Sequence, residues 1–176
     1  QRTGPDERRK PLNTIEGTAD IQGVSLHYTC SGAGEPVLLI SGLGASAEMW
    51  ERQTSAFESK HTVVRFDNRG AGRSGAPEGP YSIQIMAAEA VQLLDALDIP
   101  AAHVVGASMG GMIAQEVAIQ YPDKALSLTL IATQCGGPHA FVAAPESAAA
   151  LEELATFEMT PQERARGWVP YTLSAD

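Results

Sequence analysis

The chain of 176 residues is long enough to bury one substantial core and short for two. Its 44% apolar and 19% charged residues are ordinary for a soluble globular protein. The net charge of −9 argues against a nucleic-acid surface, because gripping phosphates takes a basic patch.

Residues 1–12, QRTGPDERRKPL, hold Arg2, Arg8, Arg9 and Lys10 against Asp6 and Glu7 and read as a solvated, mobile tail. Residues 14–20 and 24–30 alternate apolar and polar side chains, with Gly23 in a tight link, and predict an antiparallel hairpin at a sheet edge. PVLLIS, residues 36–41, is the nearly continuous apolar run of a strand buried on both faces. The glycines of GLGAS follow, and Ser46 is placed to cap a helix through Phe57 with Met49, Trp50, Gln53 and Phe57 on one face. HTVVRFD, residues 61–67, predicts a second buried strand, and NRGAGRSGAPEGP a long turn-rich loop. Ser82 then caps a helix whose core face carries Ile85, Met86, Val91, Leu94 and Leu97, and Pro100 ends it.

AAHVVGA, residues 101–107, predicts a third buried strand. The helix after Ser108 shows Met109, Met112, Ile113 and Val117 at helical spacing and stops before Pro122. ALSLTLIAT, residues 125–133, predicts a fourth buried strand, CGGPHAFVAAPE a loop, and residues 146–157 an amphipathic helix. Thr160 and Pro161 open another helix. Short strands alternating with longer helices predict an α/β fold with a mostly parallel sheet flanked by helices.

Cys30 and Cys135 form no metal-binding spacing, and a buried thiol is the expectation for each. No apolar run reaches the roughly 18 residues that a membrane helix needs. A cytoplasmic location is the expectation, although the chain opens on Gln1 rather than Met, which leaves a removed leader open.

The chemistry concentrates in Gly106-Ala107-Ser108-Met109-Gly110. A serine hydroxyl is a weak nucleophile until a tight turn exposes it, donors await the oxyanion and a base takes its proton. This GxSxG segment follows a predicted buried strand and opens a predicted helix, the context a nucleophile elbow requires. The Met109 N–H, at the helix N-terminus, is one oxyanion donor, and the Leu43 N–H in SGLG is the candidate for the second.

Three blocks, LLISGLGAS, FDNRGAGRSGAP and HVVGASMGGMIAQEVAIQYPDKALSLTLIAT, resemble the N-terminal half of the α/β-hydrolase fold superfamily. The likeness is to its small esterase, enol-lactonase and cofactor-free haloperoxidase branch and covers about residues 15–135. The resemblance implies a nucleophile at Ser108, oxyanion donors at Leu43 and Met109, and neither cofactor nor metal. After the tail over 1–12, it also implies about six strands of an incomplete core over 13–135 and the beginning of a helical cap over 136–176.

Two departures stand out. Many members have His-Gly where this chain has Ser41-Gly42, which touches local hydrogen bonding more than catalysis. Members carry the triad acid and histidine well beyond the cap, whereas this sequence stops at Asp176. His103 on the strand into the elbow reads as structural, His27 belongs to the hairpin, and His61 opens a strand at the end away from the nucleophile. His139 is the one histidine after Ser108, but nothing near it in sequence orients it as a base. Asp67, Arg69 and Arg73 read as an internal Asp–Arg network, and Trp50 and Trp168 as packing.

The leading expectation is a serine hydrolase of a small ester, lactone or thioester, with little or no turnover from this stretch alone. A non-catalytic half-fold that binds a partner, and a perhydrolase or haloperoxidase using the same serine, are the alternatives. The expected partner is a small acyl substrate, without nucleic acid or membrane, and with a second chain or self-association completing the sheet.

Overall fold

In a computed structural model, residues 14–136 are described; they form a six-stranded mixed sheet with helices against both faces. β1 (Ile15–Ile21) and β2 (Val24–Gly32) pair antiparallel, and the match of Ile21 with Val24 leaves Gln22 and Gly23 as the turn. Both turn residues have positive φ, 53° and 82°, as the tightest hairpins need. The Asp20 carboxylate accepts the Gly23 N–H at 2.8 Å.

The remaining strands are β3 (Glu35–Ile40), β4 (His61–Phe66), β5 (Ala102–Ala107) and β6 (Ala125–Ile131), in the sheet order β1-β2-β4-β3-β5-β6. β2 meets β4 antiparallel, while β4, β3, β5 and β6 run parallel. Parallel strands end on one side, so Ile40, Phe66, Ala107 and Ile131 deliver their following loops to a common edge.

Alternate side chains of these strands feed two apolar layers. Leu38, Ile40, Val64, Phe66 and Val104 pack with Met86, Val91 and Leu94 of α2 (Ile83–Ala96) and Ile113 and Val117 of α3 (Met109–Gln120). Val37, Leu39, Val63 and Val105 pack on the opposite face with Trp50 and Phe57. The Ser82 hydroxyl caps α2 by accepting the Ile85 N–H at 3.2 Å.

Four expectations change. The helix after Ser46 begins as a 3₁₀ turn, Ala47–Trp50, before α1 (Glu51–Phe57), and Ser46 makes no side-chain cap. Three residues per turn put Ala47 above Trp50, so Ala47, Trp50 and Thr54 face inward while Met49 and Gln53 are exposed. Among the described residues β6 is the last strand of the sheet and its side chains are not buried: Leu126, Leu128 and Leu130 are 51%, 38% and 43% exposed. Cys30 is half-buried, with its thiol pKa raised by desolvation, and Cys135 is exposed beyond the end of β6.

The Asp–Arg network has other partners. Arg69 forks onto the buried Glu89 of α2, with Nε 3.0 Å from both carboxylate oxygens, and also donates to the Pro80 carbonyl. Arg73 pairs with Glu16 of β1, and Asp67 receives backbone N–H groups instead of a guanidinium. Glu89 sits amid the apolar face of α2, where removing either partner of the pair would strand a buried charge, at a cost of about 3–5 kcal/mol. The tail, His139, Trp168 and residues 137–176 of the expected cap lie outside the described residues. Among the described residues, no helix is long and apolar enough to cross a membrane.

Candidate active site

β5 ends at Ala107, and the chain turns sharply into α3 at Ser108. Ser108 has φ 54° and ψ −121°, a conformation that L-residues avoid and that costs on the order of 1–3 kcal/mol. It persists because the surroundings leave no alternative. A Cβ on Gly106 would collide with the Gly110 carbonyl, and one on Gly110 would collide with the Ile40 carbonyl, so β5, α3 and β3 approach backbone to backbone. The Ser108 N–H donates to the Ile131 carbonyl at 2.9 Å, and the Ser108 carbonyl accepts from the Gly111 N–H at 2.9 Å. The hydroxyl is left on an exposed residue at the common edge of the parallel strands.

One brace lies outside the motif. Ala132, with φ 46°, turns the chain back after β6, and the Thr133 hydroxyl donates to the Ser108 carbonyl at 2.6 Å. Gln115 of α3 holds the same segment by donating to the Gln134 carbonyl at 2.9 Å. The Thr133 hydroxyl thereby ties down the turn at Ser108.

The loop after β3 runs against the serine. A Cβ on Gly42 would stand 3.3 Å from the Ser108 Cβ and 3.8 Å from its Oγ, so the backbone just before Leu43 lies beside the Ser108 side chain. The Leu43 side chain is exposed. Met109 is the first residue of α3, whose N–H has no acceptor in a preceding helical turn and carries the positive end of the helix dipole.

Both ends of this loop are pinned from one place. Asp67, 2% exposed, follows β4, and its Oδ1 accepts the Ala47 N–H at 2.6 Å while Oδ2 accepts the Arg73 N–H at 2.8 Å. Asn68 Nδ2 donates to the Ser41 carbonyl at 3.0 Å. The Ser41 hydroxyl donates to the Ser46 carbonyl at 3.2 Å, and the Ala45 N–H to the Gly42 carbonyl. Local bonding is thus rebuilt around serine. Asp67 and Asn68 hold this loop in a way local pattern did not show; FDN at a strand end carried no sign of their partners 20 and 27 residues away.

The described histidines have partners other than Ser108. His103 bonds Ser127 at 2.7 Å at the start of β5, about 16 Å along the strand from Ser108 at 3.3 Å per residue. His61 packs edge-on against Phe57 and His103. His27 Nε2 bonds Glu16 at 3.0 Å. Among the described residues, no group of three or more His, Cys, Asp and Glu side chains is arranged to hold a metal ion. The arrangement presents a strained, exposed hydroxyl between two backbone segments with available donors, which suits attack on an acyl carbon.

A sequence model of the alpha/beta hydrolase fold matches residues 35–170. A putative carbamate hydrolase RutD from Azorhizobium caulinodans is 42% identical over 106 residues, covering 60% of this chain and 40% of that protein. A 3-oxoadipate enol-lactonase 2 from Acinetobacter baylyi is 39% identical over 116 residues, covering 65% and 43%. Among solved structures, the enol-lactonase from Burkholderia xenovorans LB400 superposes with a TM-score of 0.77 at 29% identity, over 90% of this chain and 60% of that one. The chain spans about two fifths of the length of the curated relatives it matches.

Proposed function

Because the chain belongs to the α/β-hydrolase fold family, we propose that it carries the nucleophile and oxyanion hole of a serine hydrolase acting on a small carboxylic ester, lactone or thioester. The relatives, a carbamate hydrolase and an enol-lactonase by name, extend the candidate acyl groups to carbamates. The observation that carries the reading is the backbone of Ser108: a non-glycine residue at φ 54°, exposed, between a parallel strand and a helix N-terminus.

Ser108 Oγ attacks the carbonyl carbon, and its proton passes to a general base. The carbonyl oxygen takes up the negative charge and accepts hydrogen bonds from the Met109 and Leu43 N–H groups, each of which contributes about 3–4 kcal/mol in comparable sites. The tetrahedral intermediate collapses, the base returns the proton to the leaving group, and water releases the acyl chain by the same route reversed. The base and its acid come from outside residues 14–136, where His139 is one candidate.

The test is incubation with p-nitrophenyl acetate, a lactone, a thioester and a carbamate, followed by peptide mass spectrometry. An acyl adduct on Ser108 that disappears in Ser108→Ala is the expected result. Adducts only on Lys124 or Cys135, unchanged in that variant, would overturn the proposal.

A further inference from the structure

His27 lies on β2, and its ring sits between two carboxylates from different elements. Nε2 bonds Glu16 of β1 at 3.0 Å. Nδ1 is buried without a hydrogen-bond partner, yet it faces Asp67 Oδ2 at 3.5 Å, within reach of charge but long for a hydrogen bond. The charged groups around the ring are Glu16 from β1 and Asp67 and Arg73 from the loop after β4, with Arg73 itself paired to Glu16. The His27 backbone belongs to the same junction: its N–H donates to the Ser74 hydroxyl at 2.9 Å and its carbonyl accepts the Asp67 N–H at 3.0 Å.

The geometry is unequal for the two states of the ring. With Nε2 donating to Glu16, a neutral imidazole turns the Nδ1 lone pair toward the Asp67 carboxylate, and the two repel. A protonated ring presents Nδ1–H to Oδ2 and attracts it. Asp67 is the residue whose other oxygen holds the Ala47 N–H at the far end of the loop carrying Leu43.

We propose that His27 is a positioning residue for the oxyanion loop: its charge state sets how firmly Asp67 grips Ala47, and hence how rigidly Leu43 is presented to Ser108. The role in catalysis rests on the serine-hydrolase reading; the coupling from His27 to Ala47 does not. Protonated His27 tightens the loop, and loss of that proton loosens it. The step follows the charge of the imidazole, which sits between the two carboxylates.

NMR on the whole chain tests this by following the His27 ring and the Ala47 amide together as the pH is varied. Ala47 protection from hydrogen exchange, corrected for intrinsic rate, should fall on the order of tenfold as the ring loses its proton, the size of one charge-assisted hydrogen bond. His27→Gln should abolish the step. Glu16→Gln removes one carboxylate facing the ring and should move the ring titration and the Ala47 step to lower pH together. A flat Ala47 profile while the ring titrates, in the unmodified chain, overturns the inference even where a variant fails to fold; so does a step that survives in His27→Gln. Where Ser108 takes a fluorophosphonate, its labelling should carry the same step. A coupled Ala47 beside an unreactive Ser108 counts against the hydrolase reading alone, and an uncoupled Ala47 beside a reactive Ser108 counts against this inference alone.

Discussion

The elbow at Ser108 and the loop facing it are held by different means. The elbow is fixed by exclusion: Gly106, Gly110 and Gly111 let three backbone segments and Thr133 close in until a positive φ at Ser108 is the conformation that fits. The loop over residues 41–47 is fixed by attachment, the Ala47 N–H donating to Asp67 and the Asn68 amide to the Ser41 carbonyl, with a turn inside it that has space to spare; a Cβ on Gly44 would meet nothing within 4 Å. Steric exclusion is stiff and insensitive to pH, whereas attachment through carboxylates responds to charge. A rigid Ser108 beside an adjustable loop is the consequence.

The sharpest way to break the comparison is to fill the elbow. Gly110→Ala should cost about 3 kcal/mol or more in urea unfolding, because its Cβ meets the Ile40 backbone, which cannot move without shifting β3. Gly44→Ala, in open space at φ 68°, should cost only about 1 kcal/mol. Equal losses at the two sites would remove the distinction.

Next in size is the loop. Asp67→Ala leaves the N–H groups of Ala47 and Arg73 without acceptors and should cost about 2–3 kcal/mol. It should also slow Ser108 labelling by more than the stability loss alone explains, read as labelling rate per folded molecule. Thr133→Val tests the elbow's hydrogen-bonded brace at about 1 kcal/mol, and Thr133→Ser should recover most of it.

The smallest effect is a pH response. The His27 hydrogen bond, and after it Arg73, hold the Glu16 carboxyl below its usual range. A group with a lowered folded pKa contributes stability above its unfolded pKa and loses it as pH falls through the folded value. The urea midpoint of the unmodified chain should therefore drop on acidification below the ordinary Glu range by slightly more than that of Glu16→Gln. Identical slopes would detach Glu16 from the junction.

Legibility followed the same division. The elbow could be read because sterics are local: a strand, a glycine, a serine, a glycine and a helix lie within one short window, HVVGASMGG. The succession of strands and helices along the chain and the hairpin turn at Gly23 were likewise written in periodicity and glycine placement. Asp67 to Ala47, Arg69 to Glu89 and Thr133 to Ser108 join residues 20 or more apart, and a hydrogen-bonding side chain does not announce its partner. Glu89 reads as a solvated charge within α2 until Arg69 is known to reach it. The apolar alternation of β6 marks a strand correctly, but whether a strand is interior or at an edge depends on what pairs beside it.

The most direct test is fluorophosphonate labelling of the folded chain, with the modified residue located by peptide mass spectrometry. A single adduct on Ser108, absent in Ser108→Ala and slowed in Asp67→Ala, is the predicted result. A chain that unfolds cooperatively in urea and yet shows no adduct on Ser108 would contradict the assignment of this elbow as a working nucleophile.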